Sequence, residues 1–334
     1  MRYATIVTIS ILLCTTAAGG AITTGSLIDE MIDMHRLTRF PSSGFKTIQF
    51  SSYDRSSSVP GGKEWFANSD GFGGEPTPNF EAVIKTAEKG GTGEYLMCDV
   101  KGPGAIVRMW TAQITGSVRV YLDNMQTPLY EGPAEEFFLH PYNTFLSGTD
   151  LTPTVFADTF YQRNASYAPV PFAKRCKIVW IGNHKDTHFY EIQMRVYDRE
   201  TKVVTFSARD LKSHVSRIRQ AVAVLADSDR NWTYRSKHDP VEIAVNVAPQ
   251  ASSEALKLEG PGALERLVLK VDAPDIEKAL RQTLLLVQCD ADPWGQVQSP
   301  VGDFFGAGPG VNPYRSVPFT VAPDATMTCR YVMP

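Results

Sequence analysis

The chain has 334 residues, of which 43% are hydrophobic and 21% are charged, a balance that is typical of folded globular proteins and excludes a mainly disordered chain. Its formal net charge of −3 provides no basic field, so nucleic acid and anionic lipid are excluded as partners recruited by charge. The length is sufficient for two domains of ordinary size.

Residues 1–20 are predicted to be a signal peptide. Arg2 is followed by an apolar run from Ile6 to Cys14 and by small residues, with a cleavage site between Ala18 and Ala21. This run is too short to span a bilayer, and no other segment is apolar enough to cross a membrane. The mature protein is therefore expected to be exported, to the periplasm or the extracellular space.

The cysteines and histidines predict neither a metal site nor a cofactor. Four cysteines remain after cleavage, in separate strand-like runs without Cys-x-x-Cys spacing: Cys98, Cys176, Cys289 and Cys329. Export permits disulfides, but so few cysteines are not a disulfide scaffold, and buried free thiols are favoured over bridges. The six histidines are dispersed, and the Gly-rich run GDFFGAGPG lacks a P-loop lysine.

Two amphipathic segments predict helices. In SLIDEMIDMHRL (26–37), within an N-terminal helical segment at 21–45, Ser26 is the expected N-cap, and Pro41 ends the segment. A second helix is predicted to open on Ser207, within a connector at 200–240. Its apolar residues recur at helical spacing: Leu211, Val215, Ile218, Val222 and Leu225.

The remaining sequence predicts a mostly β protein made of tandem jelly-roll or sandwich domains, joined by the connecting helix. Short strand-type runs are separated by Gly, Pro and Asn: EYLMCDV, AIVRMW, SVRVYL, CKIVWI and FYEIQMRVY. We expect the first domain at 46–199 and the second at 241–334.

A series of landmarks recurs in the same order, which predicts two copies of one domain. The pairs are GPGAIVRMW and GPGALERLVL, VRVYLDN and LLLVQCDAD, EGPAEEFF and SPVGDFF, and SYAPVPF and RYVMP. In the first copy two further strand runs follow, whereas the second copy reaches Pro334 without them. We therefore expect the second domain to be incomplete and the chain to be part of a longer protein, since a sandwich lacking two strands exposes its edges.

The stretches SSYDRSS and WFANSDGFGGE combine polar and aromatic residues in a way that suits a sugar site. Carboxylates and amides can bind hydroxyl groups, and aromatic faces can pack on the C–H side of a sugar ring. The candidate sugar-binding residues are Tyr53, Asp54, Arg55, Trp65, Asn68 and Asp70. A structural loop with a buried Asp–Arg pair explains the same residues equally well.

Acidic residues just after a strand, in EGPAEEFF, are the candidates for catalysis. Glycoside hydrolysis needs two carboxyl groups that face each other across the bond. Glu135 and Glu136 are the catalytic candidates, with Glu131 nearby, although acidic loop residues are more often simply solvated.

The segments SSYDRSS, GPGAIVRMW, GDFFGAGPG and CRYVMP resemble glycoside hydrolase family 172, previously the domain of unknown function 2961, from Ser26 to Pro334. The resemblance implies two tandem jelly rolls, a homo-oligomer that is trimeric, and action on α-fructofuranosides or D-arabinofuranosides with retention.

The catalytic glutamate pair that the resemblance implies is not recognisable in either copy. One glutamate of that pair corresponds to Glu135 or Glu136, but the matching upstream positions are Ile114 and Thr115. In the second copy the corresponding residues are Asp303 and Gln282.

We therefore expect an exported glycosidase-like protein that acts on furanosides, represented by a portion without its catalytic pair and inactive by itself. The alternative is a non-catalytic jelly-roll protein that binds carbohydrate or forms assemblies.

Overall fold

The computed structural model describes residues 20–67, 79–89, 91–184, 187–290 and 292–334. Within these ranges the chain is mostly β, with 17 strands in four antiparallel sheets, as the strand runs predict. No helix in the described part of the chain is long and apolar enough to cross a membrane.

Eleven strands form the first sandwich: β1 Phe45–Ser51, β2 Ala82–Lys85, β3 Gly93–Lys101, β4 Gly104–Ile114, β5 Ser117–Leu122, β6 Tyr130–Pro133, β7 Tyr161–Gln162, β8 Ala165–Ser166, β9 Val170–Phe172, β10 Arg175–Gly182 and β11 Thr187–Tyr197. One sheet has the order β1-β11-β4-β8-β7, with β9 also paired to β4, and the other has the order β2-β3-β10-β5-β6. The five predicted strand runs form β3, β4, β5, β10 and β11.

Alternating side chains from both sheets form the core of this sandwich. Ile178 and Trp180 of β10 are fully buried, as are Met109 of β4 and Ile192 of β11. Each large apolar side chain that is removed from water contributes about 2 kcal/mol to stability. A short helix after β6, α2 (Ala134–Leu139), and 3-10 turns at Asn143–Phe145 and Pro153–Phe156 close one side of the core.

The N-terminal helix differs from its prediction. Helix α1 spans Thr24–Glu30 and is followed by a 3-10 turn at His35–Thr38, rather than one helix over 26–37. Its N-cap is Thr23, so the prediction of Ser26 is wrong. The Thr23 hydroxyl accepts from the Ser26 amide at 3.0 Å and the Ser26 hydroxyl from the Thr23 amide at 2.9 Å, a reciprocal capping box.

The connector is three helices rather than one: α3 Ala208–Ser213, α4 Val215–Ala226 and α5 Ser228–Asn231. Ser207 caps α3 as predicted, accepting from the Asp210 amide at 3.1 Å. The first break lies at His214, whose ring covers the Cα of Gly25 in α1 and leaves no space there for a Cβ. The second break lies at Asp227, whose side chain caps α5.

The apolar face of the connector is only partly as predicted. Leu211 and Ile218 are buried, whereas Val215, Val222 and Leu225 are partly buried against the same core.

Residues 264–334 form a second, smaller β unit with its own core. Its elements are β12 Leu267–Lys270, α6 Ile276–Gln282, β13 Leu284–Val287, β14 Val297–Pro300, α7 Val301–Phe304, β15 Tyr314–Arg315, β16 Phe319–Val321 and β17 Thr326–Cys329. The strand orders are β12-β17-β16-β15 and β13-β14. Leu280, Val301, Phe305 and Met327 form the centre of the core.

The predicted repeat is confirmed in the hairpin that precedes each short helix. The β5–β6 hairpin runs through Pro133 into α2, and the β13–β14 hairpin runs through Pro300 into α7. The Ala134 amide donates to the Gly116 carbonyl at 3.0 Å, and the equivalent Val301 amide donates to Thr283 at 2.9 Å.

The repeat is also confirmed in the opposite sheet. Ile106 pairs with Val170 in the first copy, and Leu264 forms the equivalent antiparallel bridge with Met333. Three residues further on, Met109 of β4 faces Ser166 and Leu267 of β12 faces Cys329. Strand β12 therefore corresponds to β4, and the hairpin β13–β14 corresponds to β5–β6.

Candidate functional site

The loop that carries most of the sugar-binding candidates joins the two sheets of the first sandwich. It begins after Ser51, the end of β1, which is an edge strand of one sheet. Glu81, which precedes β2 on the edge of the other sheet, faces it. The loop therefore lies over the open side of the sandwich, where side chains from both sheets can meet.

Arg55 holds this loop in place. Its Nη1 donates to the carbonyl oxygens of Ser51 at 2.9 Å and of Tyr53 at 2.8 Å. Its Nη2 donates to Oε1 of Glu81 at 2.7 Å. Because these bonds engage both terminal nitrogens, Arg55 positions its neighbours more than it offers free donors to a ligand.

Two aromatic side chains of the loop are accessible to solvent. The Tyr53 side chain is 49% exposed, and the Arg55 guanidinium covers one face of its ring at 4.0 Å from the centroid. Trp65 is 39% exposed, and its carbonyl accepts a bond from the Ser57 hydroxyl at 2.6 Å, which links the two halves of the loop. Oδ1 of Asp54 accepts from the amide and hydroxyl of Ser56 at 2.9 and 2.6 Å.

The structure brings Tyr53, Asp54, Arg55 and Trp65 into one loop, as the sugar-site prediction requires. The other two candidates, Asn68 and Asp70, lie outside the described residues. Sugar binding by these residues stays a prediction. The alternative was a structural loop with an Asp–Arg pair, and the ion pair that Arg55 forms is with Glu81.

A layer of aromatic side chains packs beneath the loop. Tyr190 of β11 is fully buried; its amide donates to the Ser52 hydroxyl at 3.3 Å and its hydroxyl to the Asn79 carbonyl at 3.1 Å. Burial raises the pKa of the Tyr190 phenol, so it remains a neutral donor. The Phe80 ring stacks between Tyr95 at 4.8 Å and Tyr190 at 5.6 Å.

Glu81 is the member of this arrangement that the sequence analysis missed. It is a lone acidic residue before a short strand, and its partner Arg55 lies 26 positions away. No local spacing relates the two, because the contact depends on how the two sheet edges meet. The only available signal was an arginine in a loop that needed an acidic partner.

Glu135 and Glu136 lie in the first turn of α2, away from the loop. The helix follows β6, at the opposite edge of the sheet from β2, and four strand spacings separate those edges by about 19 Å. Adjacent residues of a helix also point about 100° apart. The two carboxylates therefore do not face each other across a common space.

Glu136 has a local environment of its own. Its Oε2 lies 3.6 Å from Nδ1 of His140, one helical turn away. Its charge adds to the effect of burial in raising the pKa values of Tyr130 and Tyr161. Glu135 is exposed.

Two surface clefts lie at the opposite end of β1 from the loop. One, of about 420 Å³, includes Phe40 and Tyr197, and the other, of about 550 Å³, includes Tyr167. Both contain Glu30 and Arg195, which form an ion pair at 2.6 Å. Of the predicted sugar-binding residues that the structure describes, Tyr53, Asp54, Arg55 and Trp65 line neither of these two clefts.

The described residues contain no group of three metal-ligating side chains. All four described cysteines are free thiols, and Cys98, Cys176 and Cys329 are buried. Burial is the main cause that raises the pKa of Cys98 well above its usual range, and the neighbouring Cys176 adds to this effect. The thiol is therefore unreactive as a nucleophile.

Comparison with known proteins assigns both units of the chain. The family model described as the GH172 first beta-sandwich domain matches residues 43–214. The model described as GH172 domain-like matches residues 237–334. No curated protein gave a significant match. Because the first model alone matches more than half of the chain, and the sandwich is present in the structure, the chain belongs to glycoside hydrolase family 172.

Proposed function

We propose that this glycoside hydrolase-like protein is exported and acts on furanosides, and that the loop at residues 51–67 forms part of its sugar-binding surface. The observation that carries the proposal is the group of Tyr53, Asp54 and Trp65 on a loop that Arg55 and Glu81 hold between the sheets. Exposed aromatic faces next to a carboxylate are the usual means of binding a sugar ring.

We propose hydrolysis with retention only for a catalytic site that has both carboxyl groups. In such a site the two groups lie about 5–5.5 Å apart. Glu135 and Glu136 do not provide that arrangement, because they project from adjacent positions of one short helix. We therefore propose that residues 20–334 bind a furanoside without cleaving it.

Binding is tested by titrating the protein with methyl α-D-arabinofuranoside and methyl α-fructofuranoside, with methyl α-D-glucopyranoside as the control sugar. Saturation-transfer NMR should detect the furanosides. Trp65→Ala and Asp54→Asn should weaken the signal by about tenfold, the loss of one stacking or charge-assisted contact. Trp294→Ala is the matched control, since Trp294 is 78% exposed but lies in the second unit.

Equal binding of all three sugars, or unchanged binding by the Trp65 and Asp54 variants, would show that the loop is structural. The catalytic part of the proposal is tested separately with aryl furanosides. Hydrolysis that is lost in Glu135→Gln or Glu136→Gln would overturn the assignment of these glutamates as non-catalytic.

Export and assembly have their own measurements. Secretion predicts a mature N-terminus between Ala18 and Ala21, which intact mass and N-terminal peptide mapping of the secreted protein can determine. We propose a homotrimer as the functional assembly, and light scattering of the purified protein measures its mass. A monomer at all concentrations contradicts this part alone.

A further inference from the structure

The cleft of about 420 Å³ lies at the opposite end of β1 from the loop at residues 51–67. One of its walls is the end of α1 and the 3-10 turn that follows it. The other wall includes Phe45 of β1 and Arg195 of the neighbouring strand β11. Phe45 and Ser51, the two ends of β1, are about 20 Å apart along the strand. The cleft is therefore separate from the loop.

Three arginines line this cleft, and two of them share a single carboxylate oxygen. Oε2 of Glu30 accepts from Nη2 of Arg36 at 2.8 Å and from Nη1 of Arg195 at 2.6 Å. The third arginine, Arg39, is exposed, and its guanidinium has no hydrogen-bond or ion-pair partner among the described residues. Arg39 therefore presents free donors to the cleft.

The other carboxylate of the cleft is already used by the backbone. Oδ1 of Asp33 accepts from the amides of His35 and Arg36 at 3.0 and 3.2 Å, which fixes the start of the 3-10 turn. The cleft thus has three guanidinium groups against two carboxylates, within a chain whose net charge is −3. An anionic group bound here would balance the local excess of positive charge.

The surroundings of these charges strengthen the attraction for an anion. The side chains of Glu30 and Arg195 are each 22% exposed, and that of Arg36 is 26% exposed, so water screens them only in part. A guanidinium binds a carboxylate through two parallel N–H···O bonds, which makes a carboxylate a better match than a spherical anion.

An aromatic ring and two hydroxyl groups lie in the same cleft. Phe40 is fully exposed, whereas one face of Phe45 is covered by the Arg195 guanidinium at 4.7 Å from its centroid. Ser42 and Ser43 add hydroxyl groups to the lining. An aromatic face can pack on the C–H side of a sugar ring, and hydroxyls can bind its hydroxyls. The combination with a free guanidinium matches a sugar that carries a carboxylate.

We propose that this cleft is a second carbohydrate site and that it binds a sugar acid, with the carboxylate at Arg39 and the ring against Phe40. Its volume lies within the usual range for small-molecule sites. The sugar acid is either free or a residue of an acidic polysaccharide, since both present the same chemistry. This binding does not depend on the proposed furanoside site.

The test is a titration of the protein with methyl α-D-galacturonide, followed by saturation-transfer NMR. The control sugar is methyl α-D-galactopyranoside, which has a hydroxymethyl group in place of the carboxylate. The galacturonide should bind about tenfold more tightly, the value of one charge-assisted contact, and should bind more weakly as salt is added. A galacturonate trimer identifies the source: tighter binding indicates an acidic polysaccharide, and equal binding indicates a free sugar acid.

Variants of the protein identify the site. Arg39→Ala should weaken galacturonide binding by about tenfold, and Arg39→Lys by less, because lysine keeps the charge but not the paired donors. Phe40→Ala should weaken it by about fivefold through loss of the ring contact. Arg163→Ala is the matched control, since Arg163 is an exposed arginine in the turn between β7 and β8. Thermal unfolding checks that all four variants remain folded.

Equal binding of the two methyl glycosides, or unchanged binding by Arg39→Ala, would overturn the proposal. Inorganic phosphate or acetate that binds as tightly as the galacturonide would overturn it as well, because the cleft would then select charge alone. Furanoside binding at the loop should be the same in Arg39→Ala as in the unmodified protein. A failure of the sugar-acid proposal is therefore distinct from a failure of the furanoside proposal.

Discussion

Arg55 and Glu81 join the two sheets of the first sandwich at its open side, with Nη2 of the arginine 2.7 Å from Oε1 of the glutamate. The arginine also binds two carbonyl oxygens of its own loop, so one side chain fixes both the loop backbone and its distance from the second sheet. A change at either residue therefore affects the position of Tyr53.

Arg55→Ala is expected to lower the free energy of unfolding by about 2 kcal/mol, because it removes three charge-assisted hydrogen bonds from a partly exposed side chain. Glu81→Gln keeps an acceptor and loses only the charge, so its effect should stay below about 1 kcal/mol. Denaturant unfolding measures both, and hydrogen exchange should become faster at residues 51–57 in Arg55→Ala. Equal effects of the two changes would contradict the role given to the arginine.

Asp123 and its repeat counterpart Asp290 provide a matched pair of mutations. Both have positive φ, 60° and 54°. Oδ1 of Asp123 accepts from the amides of Lys174 and Arg175 at 2.6 and 3.0 Å, and its Oδ2 from the Thr205 hydroxyl at 2.5 Å. Asp290 is exposed.

Asp123→Ala should destabilise the first sandwich by about 3 kcal/mol, since it adds the loss of these hydrogen bonds to the strain of a left-handed alanine. Among the described residues Asp290 has no such set of side-chain bonds, so Asp290→Ala adds mainly the strain and should lower stability by about 1 kcal/mol. Chemical denaturation followed by tryptophan fluorescence measures the difference. If both variants lose the same stability, the side-chain bonds of Asp123 contribute nothing.

Arg330 links the second unit to the connector through a buried charge. Its side chain is 1% exposed and pairs with Asp229 of α5, which also accepts from the Thr320 hydroxyl at 3.0 Å. Burial lowers the pKa of Arg330, and Asp229 opposes that effect. The guanidinium lies 5.7 Å from the ring centroid of Trp232.

Asp229→Ala should destabilise the second unit by about 3 kcal/mol, because it leaves the arginine buried without its carboxylate. Arg315→Ala is the control: Arg315 is 58% exposed and 3.9 Å from the same carboxylate, so its loss should change stability by less than about 0.5 kcal/mol. Trp232 fluorescence during urea unfolding reports on this region. An unchanged midpoint in Asp229→Ala would show that the pair adds nothing to stability.

Much of the first sandwich could be predicted from the sequence. Strands such as β3 and β10 alternate inward and outward residues, and this alternation is visible in the sequence as short runs of strand-type residues. The repeat was visible for the same reason: Pro133 and Pro300 precede the same turn into a helix. Local chemistry also identified Ser207 as a cap. Each of these features depends on residues that are close in sequence.

One of the errors is local, and the other two arise where distant segments meet. Ser26 has the sequence pattern of an N-cap, but Thr23 forms the reciprocal bonds with it. The connector breaks at His214, whose ring packs on Gly25, a residue far away in the sequence, and no local pattern indicates that contact. Glu81 was missed because only the closure of the sandwich brings it to Arg55.

The pKa of Asp324 reports on the contact between the end of β12 and the β16–β17 turn. Lys270, at the end of β12, donates to its Oδ2 at 3.0 Å, and the Thr326 amide and hydroxyl each donate to the carboxylate at 3.1 Å. These partners, Lys270 first, lower the pKa of Asp324 to about 2. Because the folded-state pKa is below that of the unfolded chain, the contribution to stability is present above pH 4 or so and is lost as the pH falls toward about 2.

Lys270→Ala should raise the pKa of Asp324 toward its ordinary value without restoring it fully, since the Thr326 donors remain. The carboxyl carbon shift of Asp324, followed by NMR against pH, measures this directly. Lys257→Ala, which removes the partner of Glu259 in an exposed segment, is the control and should leave the titration unchanged. An unchanged pKa in Lys270→Ala would mean that β12 does not hold its end against the turn in solution.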